Sequence, residues 1–203
     1  MKIFCLSAVL TGAVMTPALA CDICSVFSAA QARGEIGKGF FGGVAEQFTH
    51  FGTMQDEGIK VANPTGQYLD SSVSQIFAGY NFNERVGLQL NVPVIYRSFK
   101  RPEDLTIDRG TESGVGDVLL LGHFQPYRHE EKKFTFSWTV LGGIKFPTGS
   151  TRRLHEEVDE LTAPPPPPGA PESGIHGHDL TLGSGSYDGI VGTGIFLNSH
   201  RCF

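Results

Sequence analysis

The chain of 203 residues predicts an all-β fold, an antiparallel up-and-down transmembrane β-barrel of which about six strands of a larger barrel are present. Three observations predict it. Two segments of about 13 residues alternate apolar and polar side chains, the connections are short and long in turn, and the chain opens on an export signal.

The first 20 residues supply that signal: Lys2 gives a charged start, 3–15 a short apolar run, and Pro17 with Ala18, Leu19 and Ala20 a small-residue cleavage site. The run is roughly 13 residues against the ~20 that a helix needs to span a bilayer, which favours a cleaved signal peptide over an anchor. The mature chain is expected to start at Cys21, with a periplasmic segment over 21–38 and the barrel domain over 39–203. A cysteine after the cleavage site also raises lipoprotein processing, but Ala18 and Leu19 stand in the reverse of the order that route wants.

Composition narrows the class. The net charge of −5 comes without a basic block, which argues against nucleic acid as a partner. No later apolar run is long enough for a membrane helix. A mean hydropathy near zero, with 26 Gly and 15 Phe, still suits a membrane barrel, because alternating strands average out.

The clearest strand is 85–97. Val86, Leu88, Leu90, Val92, Val94 and Tyr96 occupy one parity, and Arg85, Gly87, Gln89, Asn91, Pro93, Ile95 and Arg97 the other. Successive side chains of a strand point to opposite faces, so one face is apolar and the other mostly polar. A slip of one residue would exchange the two faces, so the register is strongly specified. Phe134–Phe146 repeats the pattern, with Phe134, Phe136, Trp138, Val140, Gly142, Ile144 and Phe146 on one parity. Both exceed the usual 5 or 6 residues and suffice for a tilted membrane strand of ~9–11. Weaker strands are expected over 39–51, 71–82, 114–125 and 187–197.

Only Asn83 and Glu84 separate two of these strands, and a short charged stretch around 128–132 separates two more. The other connections, 52–70, 98–113 and 147–186, are long loops. That alternation matches an outer-membrane meander with tight periplasmic turns and long exterior loops. The run Pro164 to Pro168 cannot donate to a ladder and reads as a stiff part of a surface loop rather than a recognition ligand.

If the Val86 to Tyr96 parity faces lipid, then Arg85, Gln89, Asn91 and Arg97 line the lumen, joined by Asp117, His123, Gln125 and Lys145. Charges of both signs there suit small polar or amphipathic solutes. The competing reading is that these residues fill and hydrogen-bond a closed interior.

Other chemistry is thin. Cys21-Asp22-Ile23-Cys24 lacks the His of a haem site and the second ligand pair of a zinc site, so the cysteines pair with each other or bind metal weakly. His176-Gly177-His178-Asp179 places two imidazoles and a carboxylate within reach of one cation. Cys21, Cys24, His176 and His178 are therefore only weak metal candidates, and no cofactor is expected. The glycine-rich 183–189 lacks the Lys and the helix of a phosphate loop, and no G-x-S-x-G elbow occurs, so no catalytic residue is assigned and the chain is read as not an enzyme.

Taken together, Gly42-Gly43-Val44-Ala45-Glu46-Gln47-Phe48, the Gly79 to Arg85 turn, Gly114-Val115-Gly116-Asp117, Lys145-Phe146-Pro147-Thr148-Gly149 and Leu182-Gly183-Ser184-Gly185-Ser186-Tyr187-Asp188 resemble a bacterial family. It is the outer-membrane transporter family associated with the phenol meta-cleavage degradation pathway, and the likeness covers most of 39–194. The resemblance implies a barrel of roughly a dozen strands, a bacterial outer-membrane location, and uptake of small aromatic or hydrophobic molecules. It brings no catalytic residues. After Phe196 the alternation dissolves into Asn198, Ser199, His200, Arg201 and Cys202, where the family continues, so a truncated member is expected.

About six strands fall short of the eight in the smallest membrane barrels, and each unpaired backbone group in lipid costs several kcal/mol. Such a sheet is not expected to close alone. The rival reading is a soluble periplasmic β-barrel that binds a ligand inside, with the apolar parity turned inward. A further one makes 21–37 a metal-handling module on a barrel.

Overall fold

The structure, a computed structural model, describes residues 37–131, 134–162 and 167–199. They belong to one compact unit, Ile36–Phe203. The predicted signal peptide, the Cys21 and Cys24 pair and most of the proline run lie outside the described residues.

The elements in order are β1 (Gly39–Phe51), β2 (Gln55–Asp56), β3 (Ile59–Lys60), β4 (Tyr68–Asn81), β5 (Val86–Glu103), β6 (Thr106–Val115), β7 (Val118–Glu131), β8 (Phe134–Phe146), α1 (Arg152–Thr162), α2 (Gly177–Leu180) and β9 (Asp188–Ser199). One open, antiparallel, seven-stranded sheet runs β1-β4-β5-β7-β8-β9, with β6 beside β5. The all-β meander expected from the alternation is therefore present. β2 and β3 form a separate two-stranded ladder. Its turn is made by Glu57 and Gly58, both at positive φ (47° and 81°), the pair of conformations that matches the strand twist in a two-residue hairpin.

In two connections the strands run further than expected. The segment 98–113, expected as a long loop, is mostly strand: β5 continues to Glu103, and β6 returns from Thr106 in register, with Arg97 opposite Glu112 and Phe99 opposite Gly110. On the outward parity Ser98, Lys100, Arg109, Thr111 and Ser113 replace the apolar set. The chain is still extended there, but the hydrophobic signature that reveals a strand is gone. The charged stretch near 128 likewise stays in the ladder, because β7 pairs with β8 as far as Glu131 beyond an irregularity between Phe124 and Tyr127.

β6 and β7 behave as one path along β5. β6 covers Val94 to Glu103 and β7 covers Val86 to Asn91. Between them Gly116 and Asp117 form an out-of-register step, with the Gly116 N–H donating to Pro93 O at 2.8 Å. Such a bulge bends the strand and re-aims the side chain beside it. Here that side chain is Asp117.

The two faces divide as the sequence parity demands. Leu90 is 43% exposed and Asn91 is 4% exposed, although they are neighbours in β5. Val44, Ile76, Leu88, Val94, Leu120, Phe124, Ile144, Val191 and Ile195 are exposed with Leu90 on the outer face. Gln75, Gln89, Asn91 and Gln125 are buried on the inner one.

The segment 147–186, expected as an exterior loop, also reaches this face. It folds back against the inner face: Ile175 and Leu180 pack with Leu69 and Phe99, and Leu182 with Val73 and Ile95. Burying each such side chain contributes roughly 1.5–3 kcal/mol. An apolar side chain in this loop gains more by covering Phe99 than by standing in water.

Candidate functional site

The inner face is organised in rows set by register. Nearest the short turns, Asn81 stands opposite Gly87, and Gly87 opposite His123. The next rows place Gly79, Gln89 and Leu121 together, then Phe77, Asn91 and Leu119. Gln89 Nε2 donates to Asn91 Oδ1 at 2.6 Å. On β4, β5 and β7 these rows carry amides, apolar groups and the His123 imidazole, and the last of them runs on to Lys145 and Asp188.

The half nearer the long connections is charged and covered. Arg101 is buried and donates from Nε to Asp108 Oδ2 at 3.1 Å and from Nη2 to Glu156 Oε2 at 3.1 Å. Arg153, on α1, holds Glu112 at 2.7 Å and Glu156 at 2.8 Å, and its guanidinium lies 5.2 Å from the Phe99 ring centroid. Arg152 also donates to both Glu112 oxygens, at 2.8 and 3.0 Å. Arg97 donates to Thr181 O. Arg101, Arg152 and Arg153 match Asp108, Glu112 and Glu156 in number, so α1 is fastened to β5 and β6 by balanced charges.

A third group joins the ends of the folded-in segment. Asp117 Oδ2 accepts the N–H of Ser184 at 2.8 Å and its hydroxyl at 2.9 Å, while Oδ1 accepts the N–H of Gly149 at 3.0 Å. Lys145 Nζ donates to Ser184 Oγ at 2.6 Å, lies 3.5 Å from Asp117 and pairs with Asp188. Thr148 Oγ1 donates to Gly116 O and accepts from Val118 N–H, at 2.8 and 2.9 Å. A Cβ on Gly183 would stand 2.5 Å from Asp117 Oδ1 and 2.7 Å from Gly149 Cα, so neither glycine leaves room for a side chain. The three motifs around 114–117, 145–149 and 182–188 thus meet in one joint.

Of the predicted lumen set, Gln89, Asn91 and Gln125 are buried on the inner face and His123 is half-buried there. Arg97, Asp117 and Lys145 are inner-face residues engaged with the folded-in segment. Arg85 stands apart: it is exposed at the turn, where its carbonyl accepts the Gln125 N–H at 2.7 Å. Sequence reasoning missed Arg101, Glu112, Arg153 and Glu156. The signal available for α1 was the pairing of Arg152 and Arg153 with Glu156 and Glu157 at helical spacing.

The His176 and His178 pair is stacked, with ring centroids 5.7 Å apart. His178 Nδ1 is bonded to Glu157 and its backbone N–H donates to the same oxygen at 3.1 Å. Among the described residues no group of three His, Cys, Asp or Glu side chains converges to hold a metal ion.

No helix among the described residues is long and apolar enough to cross a membrane, which leaves crossing by strands open. No family model matches the chain and no curated protein matches it.

Proposed function

We propose that the chain is an outer-membrane β-barrel transporter or porin-like protein for small molecules, in which the segment 147–187 narrows the passage from within. One observation carries the reading: the apolar parity is exposed and the polar parity is covered, the inverse of what water selects for. From Val86 to Tyr96 the apolar row runs about 34 Å along the strand, and at a tilt of ~40° it rises about 26 Å, close to the ~25 Å band of membrane barrels.

Aromatic rings support it. Phe40, Tyr80 and Phe82 contact edge to face near the short turns, at 4.7 and 5.4 Å, and Tyr127 with Phe136 at 5.6 Å. Phe146 and Tyr187 meet at 6.1 Å near the opposite end. Rings at both rims of an aliphatic band are what bilayer interfaces favour. A polar interruption, Glu46 accepting from Ser72 and Ser74 across β1 and β4, lies on the outer face toward the long connections.

In this reading the partners are the lipid bilayer and a small solute, which the family resemblance makes aromatic or hydrophobic, and no catalysis is assigned. A soluble periplasmic barrel would turn Val86 to Tyr96 inward, whereas Leu88, Leu90, Val94 and Tyr96 are exposed. Nitroxides at positions 90 and 91 of vesicle-reconstituted protein test the proposal. Bilayer oxygen should relax the label at Leu90 and spare that at Asn91, and the reverse result removes the reading.

A further inference from the structure

Three buried acceptor atoms on the inner face lack a hydrogen-bond partner among the described residues: Asn81 Oδ1, His123 Nε2 and Gln125 Oε1. Asn81 is 7% exposed and Gln125 is 3% exposed. Buried polar atoms are nearly always paired, so three unpaired ones in neighbouring positions point to a ligand.

Gly87 explains why two of them converge. A Cβ there would stand 2.3 Å from Asn81 Oδ1, 2.4 Å from His123 Cε1 and 2.9 Å from His123 Nε2. The two side chains therefore lean from β4 and β7 over the bare backbone of β5, in the space that a side chain would have filled. Asn81 is oriented by its Nδ2, which donates to Gly37 O at 2.9 Å and leaves Oδ1 to accept. With its proton on Nδ1, His123 accepts at Nε2 as well.

What fits must donate hydrogen bonds, and it must do so without a formal charge. The adjoining row through Gln89 and Leu121 holds no carboxylate. In the row beyond it, through Asn91, Leu119 and Lys145, Asp188 is already paired with Lys145, so none is left to balance a cation, and burying an unbalanced charge is costly. A hydroxyl donates to one acceptor while still accepting from another group. Two aromatic rings lie over inner-face glycines nearby, Phe41 over Gly79 and Phe77 over Gly43, and offer a surface for C–H groups. We propose that the inner face at Asn81, Gly87, His123 and Gln125 is a binding niche for neutral hydroxyl-bearing molecules of the polyol or sugar type. As a solute site on a passage, it rests on the transport reading above, and it assigns that passage a more polar solute than the family resemblance implies.

Titration of the full chain, refolded in detergent micelles and labelled with 15N, tests it with xylitol as the probe. The side-chain amide signals of Asn81 and Gln125 and the imidazole signals of His123 should shift saturably. His123→Phe and Gln125→Leu should each weaken xylitol binding by at least about fivefold, as loss of one hydrogen bond does, while Trp138→Phe on the outer face leaves it unchanged. A well-dispersed wild-type spectrum that xylitol leaves unmoved overturns the proposal. So does a response to methylammonium chloride alone, which would mark a cation site, or an exchange signal from a bound water that xylitol does not displace. The two readings fail separately: spin labels at positions 90 and 91 report on membrane orientation, whereas xylitol shifts in micelles report on the niche.

Discussion

Asp117 accepts both the backbone N–H and the hydroxyl of Ser184, which lies 67 positions further along the chain. Through this contact the bulge between β6 and β7 anchors the base of the folded-in segment.

Asp117→Ala should loosen that segment. Hydrogen bonds to a charged group contribute about 1.5–3 kcal/mol each, net of those lost to water. Amide exchange at Gly149 and Ser184 is expected to accelerate by an order of magnitude or more, with β4 and β5 unchanged. Equal protection in variant and wild type would show that the joint is held by other contacts.

Arg101→Ala is expected to be the most damaging single change to the covered half. It leaves Asp108 and Glu156 facing a lost cation, and breaking a buried pair typically costs about 3–5 kcal/mol. Denaturant unfolding of the refolded chain measures this, and proteolysis within 147–187 should become faster. Arg128→Ala serves as the contrast, because its pair with Glu130 is exposed to solvent and such pairs contribute ~0–1 kcal/mol.

The link between α1 and α2 should depend on pH. The bond to the Glu157 side chain raises the His178 pKa above its ordinary value of 6.5. The backbone N–H of His178, and then its ring, lower the Glu157 pKa below 4.5. The histidine's contribution is complete below 6.5 and is lost as pH rises through the raised value. The glutamate's contribution is present above 4.5 and is lost as pH falls through the lowered value. Protection of the Leu180 amide, corrected for intrinsic exchange, should therefore peak between these limits. His178→Gln should flatten the alkaline side, and an unaltered alkaline slope in that variant would remove the assignment.

Leu90→Arg separates a lipid-facing surface from a watery one. At the middle of a bilayer an arginine on the outer face costs about 2–4 kcal/mol. Folding into phosphatidylcholine vesicles should weaken by that amount, while Thr111→Arg, on the same face but beyond the apolar row, should have little effect. Equal results for the two positions would argue against an outer face in lipid.

The alternation around Leu90 and Asn91 was legible because strand geometry is local. Period two assigns each side chain to a face before any partner strand is known. The limits of β5 and β6 were not legible, since beyond Tyr96 the outward residues turn polar and the pattern that reveals a strand fades. Gln89 and Asn91 share one buried face, as their common parity requires. Arg85 is exposed in the turn, because a turn does not extend the parity of its strand.

From residue order alone follow the all-β class, the alternation of short and long connections and the division of the strands into an apolar and a polar face. Each depends on neighbours a few positions apart. The inward course of 147–187 depends on Leu180 meeting Phe99, Arg153 meeting Glu112 and Ser184 meeting Asp117. Those partners lie far apart along the chain, and only the folded sheet brings them within contact distance. The same holds for Asn81 and His123, whose approach exists because Gly87 lies between them in register.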